Sequence, residues 1–240
     1  MHVPSSVLLT LLAFLPNSAI AQHQDARPQL DERLWLTVEG SEPWPDELFE
    51  VEKLPTPDEA TSQVIESGKV EFKFYDDTLI QRKFTGETRM AIKYQLDVKF
   101  RWRVTRNDGK RQLLVTVDHR PTKFDLFHQI LLPRDHARED MFSIPLVLHE
   151  LDHVKITLDP RYVSLFEEWY QNETKSLTLA LEAGTKESEF NALINNEIQA
   201  KAQQCFARML QLIHVRNREL DRLTKHGRLK LDDGFFDQDD

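Results

Sequence analysis

Residues 146–156 read LVLHELDHVKI, and this stretch constrains the fold more than any other part of the chain. His149 and His153 are four residues apart, so on a helix their side chains lie on the same face in successive turns. Most of the other positions are apolar, which predicts a helix that packs into a core. Burial of two histidines and Glu150 is costly unless these groups have polar partners. A helix here therefore requires a polar site around it.

The pattern H-E-x-x-H is typical of a zinc site with its own base. Two imidazoles on one helical face can bind one zinc ion through ring nitrogens at roughly 2.0–2.1 Å. Glu150 lies about 100° around the helix from His149, where it can reach a water molecule on the metal. Zinc lowers the pKa of such a water from about 15.7 to about 7, and Glu150 can act as its general base in peptide hydrolysis. The alternative is that both histidines lie at the edge of the core and bond to backbone groups.

A catalytic zinc site has three protein ligands and keeps a fourth position open. The candidates for the third ligand are His226 in LDRLTKHG and Glu197 in INNEIQAK. On one unbroken helix these two residues are about 43 Å apart along the axis, so they cannot bind the same ion. His226 is alternatively a histidine at a helix C-terminus, and Glu197 a solvated carboxylate. Asp221 and Thr224 can orient a ligand from the second shell of the site, or Asp221 pairs only with Lys225.

The hydrophobic patterning predicts an α+β fold, in which a small antiparallel sheet precedes a helical half that carries the H-E-x-x-H helix. Residues 69–120 contain alternating segments such as KVEFKFY, YQLDVKFRWRV and LLVTVDH, which are typical of strands with one buried face. Residues 143–226 predict three helices. The motif helix ends near Thr157, the second helix ends near Gly184, and the third runs from about Lys186 to His226.

The two ends of the chain differ in composition from its centre. An apolar segment followed by Ala19-Ile20-Ala21 predicts a cleaved signal peptide and a secreted or periplasmic protein. Five prolines and many acidic residues then predict a lead-in with little regular structure, and LDDGFFDQDD predicts a solvated acidic tail. The predicted division is 1–21 signal peptide, 22–62 lead-in, 63–228 metallopeptidase-like domain and 229–240 tail.

Composition excludes several classes of protein. The net charge of −9 argues against a nucleic-acid binder, and no second apolar stretch is long enough to span a membrane. Cys205, the only cysteine, lies on an apolar helical stripe and is expected to be a buried thiol. His119, His128 and His136 have no ligand spacing with each other, so we expect them at the surface or in loops.

Three segments of the chain resemble a bacterial family of predicted secreted zinc-dependent proteases. FYDDTL leads to the strand FRWRV, HELDHVKI is similar to the family's H-E-x-G-H-x-x-I, and LDRLTKHG is similar to its D-x-x-T-x-H-G ending, over about residues 70–227. The resemblance implies zinc at His149 and His153, Glu150 as base, a protein or peptide substrate, and His226 rather than Glu197 as third ligand. Asp152 stands where the family has glycine. The competing hypothesis is a zinc-stabilised binding or structural protein of the cell envelope without catalytic activity.

Overall fold

The computed structural model of the chain describes residues 34–36, 48–49, 51, 53–76, 86–231 and 233–236. The predicted signal peptide, residues 1–21, lies outside these described residues. The strands are β1 (Leu34–Leu36), β2 (Val70–Tyr75), β3 (Glu87–Gln95), β4 (Val98–Asn107), β5 (Lys110–His119), β6 (Lys123–Pro133) and β7 (Ser176–Ala180). The helices are α1 (Glu59–Gly68), α2 (Pro145–Leu158), α3 (Pro160–Thr174) and α4 (Phe190–Thr224).

The predicted α+β class is confirmed, but the strands form two sheets rather than one. The first sheet has the order β1-β3-β6-β2, and its β2–β6 pair is parallel while the other pairs are antiparallel. The second sheet, β4-β5-β7, is antiparallel throughout. The helical half follows both sheets, apart from α1 before β2 and the short strand β7 between α3 and α4.

The chain crosses from one sheet to the other within a segment that the sequence predicted to be a single strand. β3 ends at Gln95 and β4 begins at Val98, so YQLDVKFRWRV is divided between the two sheets. Leu96 is buried at the crossing, and the carbonyl of Asp97 accepts a hydrogen bond from the backbone N–H of Arg120 at 3.0 Å. The alternating pattern continues through the crossing, which is why periodicity alone did not reveal it.

The predicted second helix is wrong in its C-terminal half. α3 ends at Thr174, and residues 176–180 form strand β7 against β5, with Leu177 opposite Val115. The segment SLTLA has only five residues, so its apolar positions are too few to distinguish the period of a strand from that of a helix. Pairing with β5 decides in favour of the strand, because it completes the second sheet.

The long helix α4 packs against the other two helices of the helical half. It contacts α2 and α3 and buries an apolar stripe that includes Ile194, Ile198, Met209 and Ile213 in the main core. The predicted burial of Cys205 is confirmed, and burial raises the pKa of its thiol. Since α4 contacts α2 near its C-terminal end, residues around 217–224 lie against the motif helix.

Both terminal segments are more ordered than predicted where the structure describes them. The lead-in contributes strand β1, and α1 begins at Glu59, where the Asp58 side chain accepts a hydrogen bond from the Thr61 N–H at 2.7 Å. In the tail, Phe235 is buried in the main core, and the Arg216 guanidinium lies over its ring at 3.8 Å. The prediction of a solvated tail is therefore wrong at Phe235. Burial of this large aromatic ring is favourable although its neighbours in the sequence are acidic.

Across the described residues, we find no helix with the length and apolar character that spanning a membrane requires.

Candidate metal centre

The motif helix α2 forms as the sequence predicts, with Pro145 in its first turn. His149 and His153 lie on the same face, with exposed fractions of 4% and 8%. Their Nε2 atoms are 3.2 Å apart. Two imidazole nitrogens this close need a proton or a cation between them, since two lone pairs at this distance repel each other.

Asp221 on α4 supplies a third donor atom at the same point. Its Oδ1 lies 3.2 Å from Nε2 of His149 and 3.3 Å from Nε2 of His153. Among the residues that the structure describes, these three side chains are the one group of potential ligands whose donor atoms all lie within 4.8 Å of one another. Two nearly buried histidines and a partly buried carboxylate thus converge from two helices.

The triangle of donor atoms has the dimensions that zinc requires. A tetrahedral zinc ion with bonds of roughly 2.0–2.1 Å has its donor atoms about 3.3–3.4 Å apart. The three observed separations are 3.2, 3.2 and 3.3 Å. Two imidazoles and one carboxylate are also a known donor set for catalytic zinc. The residues therefore fit zinc, and three protein donors leave a fourth coordination position for a water or a substrate.

Two residues of α4 determine which imidazole nitrogens face the Asp221 carboxylate. Thr224 donates its hydroxyl to the Leu220 carbonyl at 2.8 Å, so its oxygen accepts the N–H of His149 Nδ1 at 3.0 Å. Asn217 Oδ1 accepts the N–H of His153 Nδ1 at 2.9 Å. With Nδ1 occupied in this way, each ring presents Nε2 to Asp221. Such hydrogen bonds behind the ligands orient the rings and make them better donors.

The contact between His153 and Asp221 shifts the pKa values of both groups. Burial acts to lower the pKa of His153, but the carboxylates of Asp221 and Glu150 outweigh it and raise this pKa to about 9. Burial acts to raise the pKa of Asp221, but its hydrogen bonds to His149 and His153 hold it well below its usual range. Without a metal, a proton on His153 therefore occupies the place that a cation would take.

Glu150 is buried beside the triangle, with an exposed fraction of 3%. Its Oε2 accepts a hydrogen bond from the hydroxyl of Thr88 on β3 at 2.7 Å. Burial raises the pKa of Glu150, and the nearby His153, His149 and Thr88 oppose this effect in part. The side chain is therefore a carboxyl group held in one place next to the ligands, which is what a general base needs.

Asp152, the residue that departs from the family pattern, has a partner of its own. Its Oδ1 forms an ion pair with the Lys155 ammonium at 2.7 Å. The Lys155 ammonium also lies over the ring of Phe236 at 5.4 Å. The extra acid is thus compensated by a cation on the same helix and does not belong to the group of three donors.

His226 lies near the site and contacts the carboxylate of Asp221. Its Nδ1 lies 3.4 Å from Asp221 Oδ1, and its side chain is half exposed. His226 follows the end of α4 in the left-handed conformation, with φ of 55°, and is not a member of the group of three donors. The third donor atom beside the histidines is thus the Asp221 oxygen, whereas the sequence offered Asp221 only as a residue that orients a ligand or pairs with Lys225. The prediction from the sequence that His226 is itself a ligand is neither confirmed nor contradicted by this contact.

Gly227 allows this turn to pack onto the motif helix. It has φ of 75°, and a Cβ at this position would come within 3.0 Å of Cβ of His149. Glycine permits both the positive φ and the close approach.

Glu197 does not reach the site. α4 runs unbroken from Phe190 to Thr224, and Glu197 lies on it 24 residues before Asp221. This separation corresponds to about 36 Å along the helix axis. Glu197 is therefore not a ligand of the ion that His149 and His153 would bind.

The site contains three residues that the sequence did not reveal. Asn217 lies four residues before Asp221 and seven before Thr224, so the shared helical face was a signal that could have identified it. Thr88 lies on β3, and Gly86, which borders Oε1 of Glu150, lies just before that strand. Both are more than sixty residues before the motif, and no local pattern connects them to it.

Neither the protein-family models, nor the curated proteins, nor the solved structures with which the chain was compared contain a match. The function of the protein is therefore inferred from the residues of the site.

Proposed function

We propose that this protein is an exported zinc-dependent hydrolase of peptide bonds, with His149, His153 and Asp221 as metal ligands and Glu150 as general base. The observation that carries the proposal is the triangle of three donor atoms with tetrahedral separations beside a buried carboxyl group. A structural zinc site is closed by four protein ligands, whereas a catalytic site keeps a position open. Three donors together with an adjacent base favour catalysis.

Each side chain has a defined task in this reaction. The two imidazoles and the Asp221 carboxylate would hold the ion, which supplies Lewis acidity toward a water molecule and a substrate carbonyl. Glu150 would accept a proton from water and later deliver it to the leaving amine. Its raised pKa suits both steps, since a base that binds a proton too weakly cannot carry it to the amine.

Peptides are the substrate class that the motif favours. H-E-x-x-H on a helix is characteristic of metallopeptidases, in which the glutamate is the base. The resemblance of HELDHVKI and LDRLTKHG to a family of predicted secreted zinc-dependent proteases supports the same class. Export follows from the signal-like segment before Gln22.

The test compares Glu150→Gln with the wild-type protein, both loaded with zinc, on fluorescein-labelled casein. We expect bound zinc to remain near one ion per chain in both proteins and cleavage to fall by at least about 10²-fold in the variant, because the base is removed but the ligands remain. Glu197→Gln is the matched control, since it makes the same change on α4 far from the site. Wild-type protein that retains zinc but cleaves neither casein nor a mixed peptide library would contradict the proposal and favour the non-catalytic envelope protein.

A further inference from the structure

Glu150 is held by a part of the chain outside the motif helix. Gly86, just before β3, and Thr88 on β3 both border its carboxyl group. The motif determines only that Glu150 leaves the helix near the two histidines. The direction in which its two oxygens point depends on what packs against them.

Thr88 binds one of the two oxygens. Its hydroxyl donates to Oε2 of Glu150 at 2.7 Å and also lies 3.1 Å from the backbone carbonyl of the same residue. Thr88 is placed rigidly, because it pairs with the fully buried Ile130 of β6. A β-branched side chain in a strand has few rotamers, so the direction of this hydroxyl is also restricted.

Gly86 borders the other oxygen. A Cβ at position 86 would overlap Oε1 of Glu150 and would lie 3.0 Å from its Cδ and from Cδ1 of Leu146. Any side chain here would displace the carboxyl group. Glycine leaves space beside Oε1 while Thr88 holds Oε2, so the two residues together allow one orientation of the group.

We propose that Thr88 is the positioning residue of the Glu150 base, with Gly86 providing the space that this orientation requires. The inference rests on the proposed function, because the orientation matters for catalysis only if Glu150 is the base. It goes further by assigning a role to β3, which contains no part of the motif. Thr88 acts through Glu150 and has no contact with the three donor side chains in the hydrogen bonds described above.

The test uses Thr88→Val, which keeps the shape and removes the hydroxyl, and Thr88→Ser, which keeps the hydroxyl. Both are measured as zinc-loaded protein on a fluorogenic peptide that the wild type cleaves. We expect Thr88→Val to lower kcat by about 10- to 100-fold, since a misplacement of about 1 Å can cost 10²-fold. KM should change by less than about twofold, because substrate binding does not involve the base in this account. Thr88→Ser should recover kcat to within about threefold of wild type.

A second readout does not depend on turnover. In protein labelled with ¹³C at the glutamate carboxyl carbon, the Glu150 signal is identified by its loss in Glu150→Gln. Thr88→Val should shift this signal at constant pH, and Thr88→Ser should leave it near its wild-type position. Thr105→Val is the matched control, because it removes the hydroxyl of a half-buried threonine on β4 in the other sheet.

The outcomes separate this inference from the proposed function. Wild-type protein without turnover overturns the proposed function, and the carboxyl signal then still tests the contact between Thr88 and Glu150. Wild-type turnover with an unchanged kcat in Thr88→Val overturns the inference alone. A loss of bound zinc in Thr88→Val, or a serine variant as impaired as the valine variant, also overturns it.

Discussion

Asn217 accepts a hydrogen bond from Nδ1 of His153 at 2.9 Å, and this contact leaves Nε2 of the ring facing Asp221. Asn217 is buried on α4, so water has little access to its side-chain oxygen and competes little with the imidazole for it. A ligand whose far nitrogen is held in this way loses less freedom when it binds a cation.

Replacing Asn217 by leucine should therefore weaken zinc binding by about 10- to 100-fold, the range found for hydrogen-bond partners of metal ligands. Competition with a chromogenic chelator measures the affinity. Asn217→Asp keeps an acceptor at the same position and should retain most of it, while Asn196→Leu, on an exposed position of α4, is the control. Unchanged affinity in Asn217→Leu would show that the ring is oriented by other contacts.

Gly86→Ala should destabilise the protein through its clash with Glu150. The added Cβ would overlap Oε1, and the backbone at position 86 has no positive φ that would add strain of its own. Overpacking of this kind costs about 1–3 kcal/mol. Urea denaturation measures the change in the free energy of unfolding, with and without Glu150→Ala.

In the Glu150→Ala background the carboxyl group is absent, so Gly86→Ala should cost much less. Equal costs in the two backgrounds would mean that the alanine acts through Leu146 or the strand and not through Glu150.

Zinc binding should release about one proton at pH 7 and should strengthen as the pH rises. Burial opposes protonation of His153, but Asp221 and Glu150 raise its pKa to about 9 in the metal-free protein. Below that pH the proton on His153 must leave before a cation can bind, and above it no such competition remains. Calorimetric titrations in two buffers with different ionisation enthalpies give the number of protons released. A value near zero at pH 7 would contradict the assignment of His153 as a ligand.

His128 should make the protein less stable in mild acid. The sequence placed this residue at the surface or in a loop, but it is fully buried on β6. Its Nδ1 bonds to the Gly68 carbonyl and its Nε2 to the Thr157 hydroxyl, both at 2.6 Å, so the ring connects α1 and β6 to the last turn of α2. The predicted surface or loop position of His128 is wrong because the sequence did not predict strand β6.

Burial lowers the pKa of His128 below its usual value of 6.5. The unfolded chain then binds a proton at a pH where the folded protein does not, so stability falls as the pH drops below about 6.5. The loss is up to about 1.4 kcal/mol for each pH unit until the folded pKa is reached. Urea denaturation at pH 7.5 and 5.5 should show a smaller pH dependence in His128→Asn than in wild type.

The local part of the metal centre was predictable from the sequence, and the rest was not. His149, Glu150 and His153 are fixed relative to each other by helical geometry, so their spacing predicted their arrangement. The sequence offers Asp221 and Thr224 as residues that can orient a ligand, with pairing of Asp221 to Lys225 as the alternative. Their order relative to His226 depends on how α4 crosses α2 and on the left-handed turn after Thr224, neither of which leaves a periodic signal.

The fold shows the same limit. Alternation predicted strands between residues 69 and 120 but did not separate β3 from β4, and β6 and β7 depend on partners far along the chain. Thr88 is a further example, because its contact with Glu150 requires β3 to pair with β6 and both to pack under α2. Such contacts follow from tertiary packing and not from the propensities of a short segment.

In the proposed site, two imidazoles and the Asp221 carboxylate hold one zinc ion. The most direct measurement is the zinc content per chain after dialysis of Asp221→Ala and His226→Ala beside the wild-type protein. We predict about one zinc ion in the wild type and in His226→Ala, and little zinc in Asp221→Ala, because an Asp221 oxygen lies 3.2 and 3.3 Å from the Nε2 atoms of the two histidines, which is the spacing of donor atoms around one ion. Zinc retained by Asp221→Ala and lost by His226→Ala would contradict the assignment of Asp221 as the third zinc ligand.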